Sequence, residues 1–192
     1  MHKGQGGLLN DIEEEMMKRL LMTSLGLAVL LAVTLPLQAQ KNPRGKTEIT
    51  LKGKTVSIDY GRPSLHGRTI QQMLAMKSPT GEFWRLGADS STTFVTGVPL
   101  AFGNETVPAG TYSLWAEMLP NNKWDLVFNT QHGQWGTSHN PKLDLVKTPL
   151  HEVKASDSAD MVTINLTKHG MDGGHFAVQW GDLMLATNFK AK

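Results

Sequence analysis

Three arginines, Arg62, Arg68 and Arg85, fall close together in a chain whose lysines are scattered. They stand in Gly61-Arg62-Pro63, Gly67-Arg68 and Trp84-Arg85, segments that read as connections between strands. A guanidinium is a planar fork of donors, better suited than lysine to a buried carboxylate or to bidentate capture of an anion. Two chemistries follow. One is a network that locks loops onto the domain, with Asp59, Glu82 and Asp89 as partners. The other is a site for a carboxylate, a phosphate or a sugar acid. Loop groups near the end of a sheet need their hydrogen bonds satisfied, which favours the network. On that reading Arg85→Ala strands a buried charge and destabilises the domain. Of the five tryptophans, Trp84 and Trp135 lie in Gly-rich segments, where an indole face can stack on a sugar ring or a cation. Plugging the end of the domain is the commoner use of such a residue. The ligand-binding candidates are therefore Arg62, Arg68, Trp84, Arg85, Asp89 and Trp135.

Other chemistries find less support. His169, Asp172 and His175 offer two imidazoles and a carboxylate, the ligand types of a facial metal triad. They lie in a Gly-rich turn whose polar residues have an ordinary explanation. His132 and His139 share one loop and read as solvated. The chain has no cysteine, which excludes disulfides, thiolate nucleophiles and thiolate-bound zinc. No Gly-x-Ser-x-Gly elbow marks a serine nucleophile. Hydrolysis of glycans by paired carboxylates can draw on Asp59, Glu82, Asp89, Glu117 and Asp125, but that chemistry depends on a separation in space. No metal and no cofactor is expected.

The elements that must hold these residues are strands. Thr47–Leu51 and Thr55–Tyr60 flank Lys52-Gly53-Lys54 as a hairpin. Thr92–Thr96 and Pro99–Phe102 follow, with a turn at Gly103-Asn104. Thr111–Leu119 places Tyr112, Leu114, Ala116 and Met118 on one face, and Trp124–Asn129 alternates Trp124, Leu126 and Phe128 inward. Leu143–Val153, Met161–Thr167, His175–Trp180 and Leu183–Phe189 complete the set, the last two joined by a turn at Gly181-Asp182. Trp124 and Trp180 read as core. Only Thr69–Met76 has helical spacing, through Ile70, Met73 and Leu74. The predicted class is all-β, an antiparallel β-sandwich, with a jelly roll as one variant, carrying one short helix.

The first 39 residues do not belong to that domain. Lys18-Arg19, the apolar run Leu20–Leu35 and Leu37-Gln38-Ala39 have the order of a secretory signal, with cleavage before Gln40. The run is shorter than the roughly 20 residues that span a bilayer as a helix. Asp11 and Glu13–Glu15 suit no signal peptide, so Met16 or Met17 competes with Met1 as the start and the preceding segment reads as an extension. Residues 40–192 form a single predicted domain, soluble and periplasmic or secreted, with no membrane span after cleavage. Lys and Arg number 19 against 17 Asp and Glu, an excess too mild and too dispersed for nucleic acid.

Four blocks in order, YGRPSLHGR (Tyr60–Arg68), FWRLGADSSTTF (Phe83–Phe94), PAGTYSLW (Pro108–Trp115) and NTQHGQWGTSHNPKLD (Asn129–Asp144), resemble a bacterial family known as domain of unknown function 2911. The resemblance spans nearly all of residues 40–192 and implies a signal-bearing envelope protein. It brings no activity, cofactor or catalytic residue. The family usually has Asn-Glu where this chain has Asp89-Ser90. The segment Pro108–Ser113 is also similar to the second motif of the cupins, but Ser113 stands where their histidine ligand would. The reading is a non-catalytic envelope module binding a small polar or anionic ligand or a surface partner; the competing class is a carboxylate-dependent hydrolase of envelope material.

Overall fold

Lys52 and Gly53 both adopt left-handed backbone, φ 48° and 72°, the two-residue turn whose twist matches that of paired strands. They join β1 (Arg44–Leu51) to β2 (Lys54–Gly61) in the register Leu51 opposite Lys54 through Arg44 opposite Gly61. The hairpin is the expected one, extended by three residues at its N-terminal end. In this computed structural model the described residues are 14–18, 42–75 and 82–192. Packing separates residues 1–40 from 41–192. In the first unit Glu14–Lys18 is helical; Leu20–Leu35 and Ala39 lie outside the described residues. No described helix is long and apolar enough to cross a membrane.

The remaining strands are β3 (Phe83–Trp84), β4 (Thr93–Thr96), β5 (Leu100–Phe102), β6 (Glu105–Val107), β7 (Gly110–Leu119), β8 (Lys123–Asn129), β9 (Asp144–His169) and β10 (Gly173–Ala191). Every pairing between them is antiparallel, in the order β1-β2-β4-β7-β8-β9-β10-β5-β6, with β3 beside β7. Strand β9 serves two sheets: Asp144–Leu150 pairs with β8 and His151 onward pairs with β10. After β2, Ser64 bridges to Met161 of β9, with hydrogen bonds from Leu65 N to Asp160 O and from Val162 N to Pro63 O. The fold is an all-β sandwich, as alternation predicts.

Phe128 marks the centre of the core. It meets Phe94 edge-on at 5.3 Å within its own sheet and Phe102 of the facing sheet at 5.0 Å. Burying such a side chain contributes roughly 1.5–3 kcal/mol. The helix, α1 (Ile70–Ala75), is held at its start by a reciprocal cap: Gln72 N donates to Thr69 Oγ1 (3.2 Å) and Thr69 N donates to Gln72 Oε1 (2.8 Å). Ile70 is buried, and Met73 and Leu74 pack against the core.

The last third differs from expectation. The segments 154–160 and Gly181-Asp182 read as turns, yet β9 and β10 run through them. Gly181 pairs with Ala159 and Leu183 with Lys154, so five steps of β9 oppose two of β10. The polar run Ala155–Ser158 is the excess of a bulge. Gly181, at φ 59°, supplies the left-handed residue beside it.

Candidate functional site

Strand β3 is two residues long, and the pleat sends them to opposite faces. Trp84 lies opposite Ala116 on the core face and Phe83 opposite Glu117 on the outer face. Trp84, half-buried, stacks on Trp180 at 6.0 Å and 14°, and meets Trp124 edge-on at 6.5 Å. Trp124 and Trp180 are each 5% exposed, core residues as predicted. The Trp180 indole N–H donates to Asp160 O at 3.2 Å, so this ring is fixed in direction as well as position. The three indoles, with Met118, Met73 and Leu74, line a cavity of about 400 Å³ at one end of the sandwich.

The polar side of the cavity comes from two connections. Leu86 and Asp89 hold left-handed backbone at φ 52° and 61°, which few non-glycine residues adopt. The segment is held there by contacts on both flanks. Gly61 of β2 lies so close to Ala88 that any Cβ on it would overlap the Ala88 carbonyl, and one on Gly87 would sit 2.8 Å from Thr92 Oγ1. Thr92 Oγ1 in turn donates to Arg85 O and Leu86 O at 3.2 and 3.1 Å. Glycines at 61 and 87 thus let two backbones touch, which sets where Arg85 starts.

The six candidates separate. Arg68, Trp84 and Arg85 line the cavity together with Glu82 and His66. Arg68 donates from Nε to Leu65 O at 2.8 Å, and the rest of its fork makes no hydrogen bond among the described residues. Arg85 is half-buried, and its guanidinium makes no hydrogen bond or ion pair among the described residues. Arg62 is elsewhere, donating from Nε to Val162 O (3.1 Å) and from Nη2 to Thr163 Oγ1 (3.3 Å), a brace between β2 and β9. Asp89 accepts Asn42 N at 2.9 Å through its carboxylate and Gly136 N at 2.7 Å through its carbonyl. Trp135 is 54% exposed on the segment that adjoins Asp89.

The expected arginine network does not form among the described residues. Asp59 is taken by Arg44, which lies across the β1–β2 hairpin and reaches it first. Asp89 serves backbone groups, and Glu82 is exposed at the cavity. The five candidate carboxylates do not converge either. Glu117 and Asp125 lie opposite each other on the outer face, away from Glu82.

Behind the cavity, on the outer face, lies a group that sequence reasoning missed. The His139 side chain is 4% exposed, not solvated, wedged between Phe83 (4.2 Å) and Trp115 (4.6 Å). Its Nε2 lies 2.8 Å from Asp144 Oδ1, which also accepts Asn129 Nδ2 at 2.7 Å. Asp144 Oδ2 is buried without a hydrogen bond, 3.8 Å from Lys147 Nζ, which donates to Glu117 Oε2 at 2.7 Å. Burial, and then the Glu117 carboxylate, push the Asp125 carboxyl up, against the pull of Lys147. Ser113, at the cupin-like position, is buried here and accepts Trp115 Nε1 and Gln134 Nε2. The available signal was the block Asn129–Asp144, whose two polar ends meet across the loop they bracket. At the β9–β10 turn, His175 Nδ1 lies 2.7 Å from Asn188 Oδ1, and no three described His, Asp or Glu gather to hold a metal.

No curated protein and no solved structure matches the chain. Residues 42–189, nearly the whole sandwich with its cavity and the His139 cluster, match the family described as protein of unknown function (DUF2911), and the chain belongs to that family.

Proposed function

We propose that the protein is an exported envelope module that binds a small anionic ligand in the Trp84 cavity, without catalysing its conversion. The observation that carries this reading is Arg85, a half-buried guanidinium with no described partner, at the wall of a cavity floored by three indoles. A half-buried guanidinium with no protein counter-ion can take a bound anion as its partner through charge-assisted hydrogen bonds. The volume lies within the range of small-molecule sites, and apolar walls with a few polar groups are their usual composition. Hydrolysis of a glycosidic bond asks for two carboxyl groups flanking it, whereas Glu82 is the one acid among the described lining residues. Export rests on the order Lys18-Arg19, Leu20–Leu35 and Ala39.

Titration of the purified protein with small carboxylates and phosphates, followed by tryptophan fluorescence, tests the site. Three of the five indoles line the cavity, so occupancy should change the emission. Binding that weakens about tenfold or more in Arg85→Ala is expected for loss of a charge-assisted bond. A panel in which no anion binds, or in which Arg85→Ala binds as wild type does, overturns the proposal. Recovery of the protein from its native envelope with Leu20–Leu35 still attached would overturn export by cleavage.

A further inference from the structure

Resting on the anion reading of the cavity, we infer that the ligand is an acidic oligosaccharide, with one uronic acid residue in the Trp84 cavity and its neighbour on Trp135. The first argument is charge. The lining sets two guanidiniums, Arg68 and Arg85, against one carboxylate, Glu82, a net single positive charge. That matches a monoanion such as a carboxylate better than a doubly charged phosphate monoester, which Glu82 would repel. The second argument is the mixture of groups. The half-buried Trp84 indole can receive the C–H face of a pyranose, while Glu82 accepts from hydroxyls that a purely anionic ligand lacks.

The third argument is Trp135. It is 54% exposed, yet its backbone is pinned on both sides: Gln134 O accepts Ser91 N at 2.9 Å, and Gly136 N donates to Asp89 O at 2.7 Å. Trp135 O also accepts Ser138 N at 2.9 Å. The tryptophan is therefore presented from a fixed position. Its neighbour Gly136 lies against the Arg85 side chain, so Trp135 stands one residue beyond the wall of the cavity. An exposed indole on a pinned backbone beside an anion pocket suits a ligand that continues out of it.

Calorimetric titration with galacturonate, glucuronate and mannuronate, each as monomer and as trimer, tests this on the purified protein. The inference expects one uronate series in which the trimer binds about tenfold tighter than the monomer, through added stacking. In Trp135→Ala the trimer-to-monomer affinity ratio should fall to near one, and Trp135→Phe should keep part of it. A trimer no tighter than its monomer, or a ratio unmoved by Trp135→Ala, overturns the oligosaccharide while leaving the anion site standing. The same holds if no uronate binds but another carboxylate or a phosphate does. Uronate binding unaffected by Arg85→Ala instead brings down the anion reading on which the inference rests.

Discussion

Gly136 lies against the arm of Arg85: a methyl on Gly136 would stand 3.1 Å from Arg85 Cδ and 2.7 Å from the Asp89 carbonyl oxygen. Packing, not ion pairing, thus holds Arg85, and the loop that carries it meets the Trp135 loop at this point. Gly136→Ala must move either a side chain or the backbone of Asp89, which already sits at φ 61°. Overpacking of this kind costs about 1–3 kcal/mol. The urea midpoint should fall accordingly with its slope unchanged, and anion affinity should fall with it as Arg85 shifts. A variant with wild-type stability and affinity would show that the contact is slack.

Arg85→Ala should fold. Residue types alone favour a buried Arg85–carboxylate pair, whose loss would cost about 3–5 kcal/mol. With no described acid paired to it, the change removes packing on Gly136 and little else, within about 1 kcal/mol. Thermal melting of Arg85→Ala and Arg85→Lys checks this. A fall in Tm of more than about 5 °C in Arg85→Ala would restore the ion-pair reading.

The strands were legible because apolar residues recur at every second position: Tyr112, Leu114, Ala116 and Met118 share one face of β7, although Ser113 and Trp115 on its other face are buried as well. Lys52-Gly53 is a turn by chemistry alone. The cavity was half legible. Trp84 and Arg85 stand out by type, but which acids lie near an arginine depends on register: Arg44 reaches Asp59 only because β1 pairs with β2 as it does. Arg62 looked like its two neighbours and turned out to bond β9, a hundred residues on. His139 was missed for the same reason. Nothing local says that Phe83 and Trp115 will close over it, since one comes from β3 and the other from β7. The bulge at 155–158 was invisible because polar residues that leave a strand read like those that end one.

His139→Ala should be the most damaging of these changes although His139 does not itself line the cavity. It removes a partner from Asp144, a carboxylate whose side chain is 6% exposed and whose Oδ2 already lacks a hydrogen bond. It also empties the space between Phe83 and Trp115. Leaving a buried charge short of a partner costs about 3–5 kcal/mol. Asp144→Asn in the same background should recover part of the loss, because a neutral amide is cheaper to bury than a carboxylate. Denaturant titration of the single and double variants decides it. A His139→Ala protein as stable as wild type, or a double variant worse than the single, would contradict the pairing.

Asp125 should make the protein less stable as pH rises through the window just above the ordinary carboxylate range. Its carboxyl is raised by burial and by Glu117 directly across the β7–β8 pair, so the folded state holds this proton where the unfolded chain has lost it. The native protein then binds more protons within the window, and stability declines as pH climbs through it. Below the window both states are protonated and the penalty disappears. Asp125→Asn should therefore melt higher than wild type at neutral pH and level with it well below the carboxylate range. The site is partly solvated, which limits the gain to about 2–4 °C. Lys147→Met supplies the opposite arm. Lys147 pulls the Asp125 carboxyl down, so its removal should widen the window and deepen the decline. Wild type and Asp125→Asn whose melting curves track each other at every pH would mean that neither burial nor Glu117 raises the Asp125 carboxyl in the folded protein.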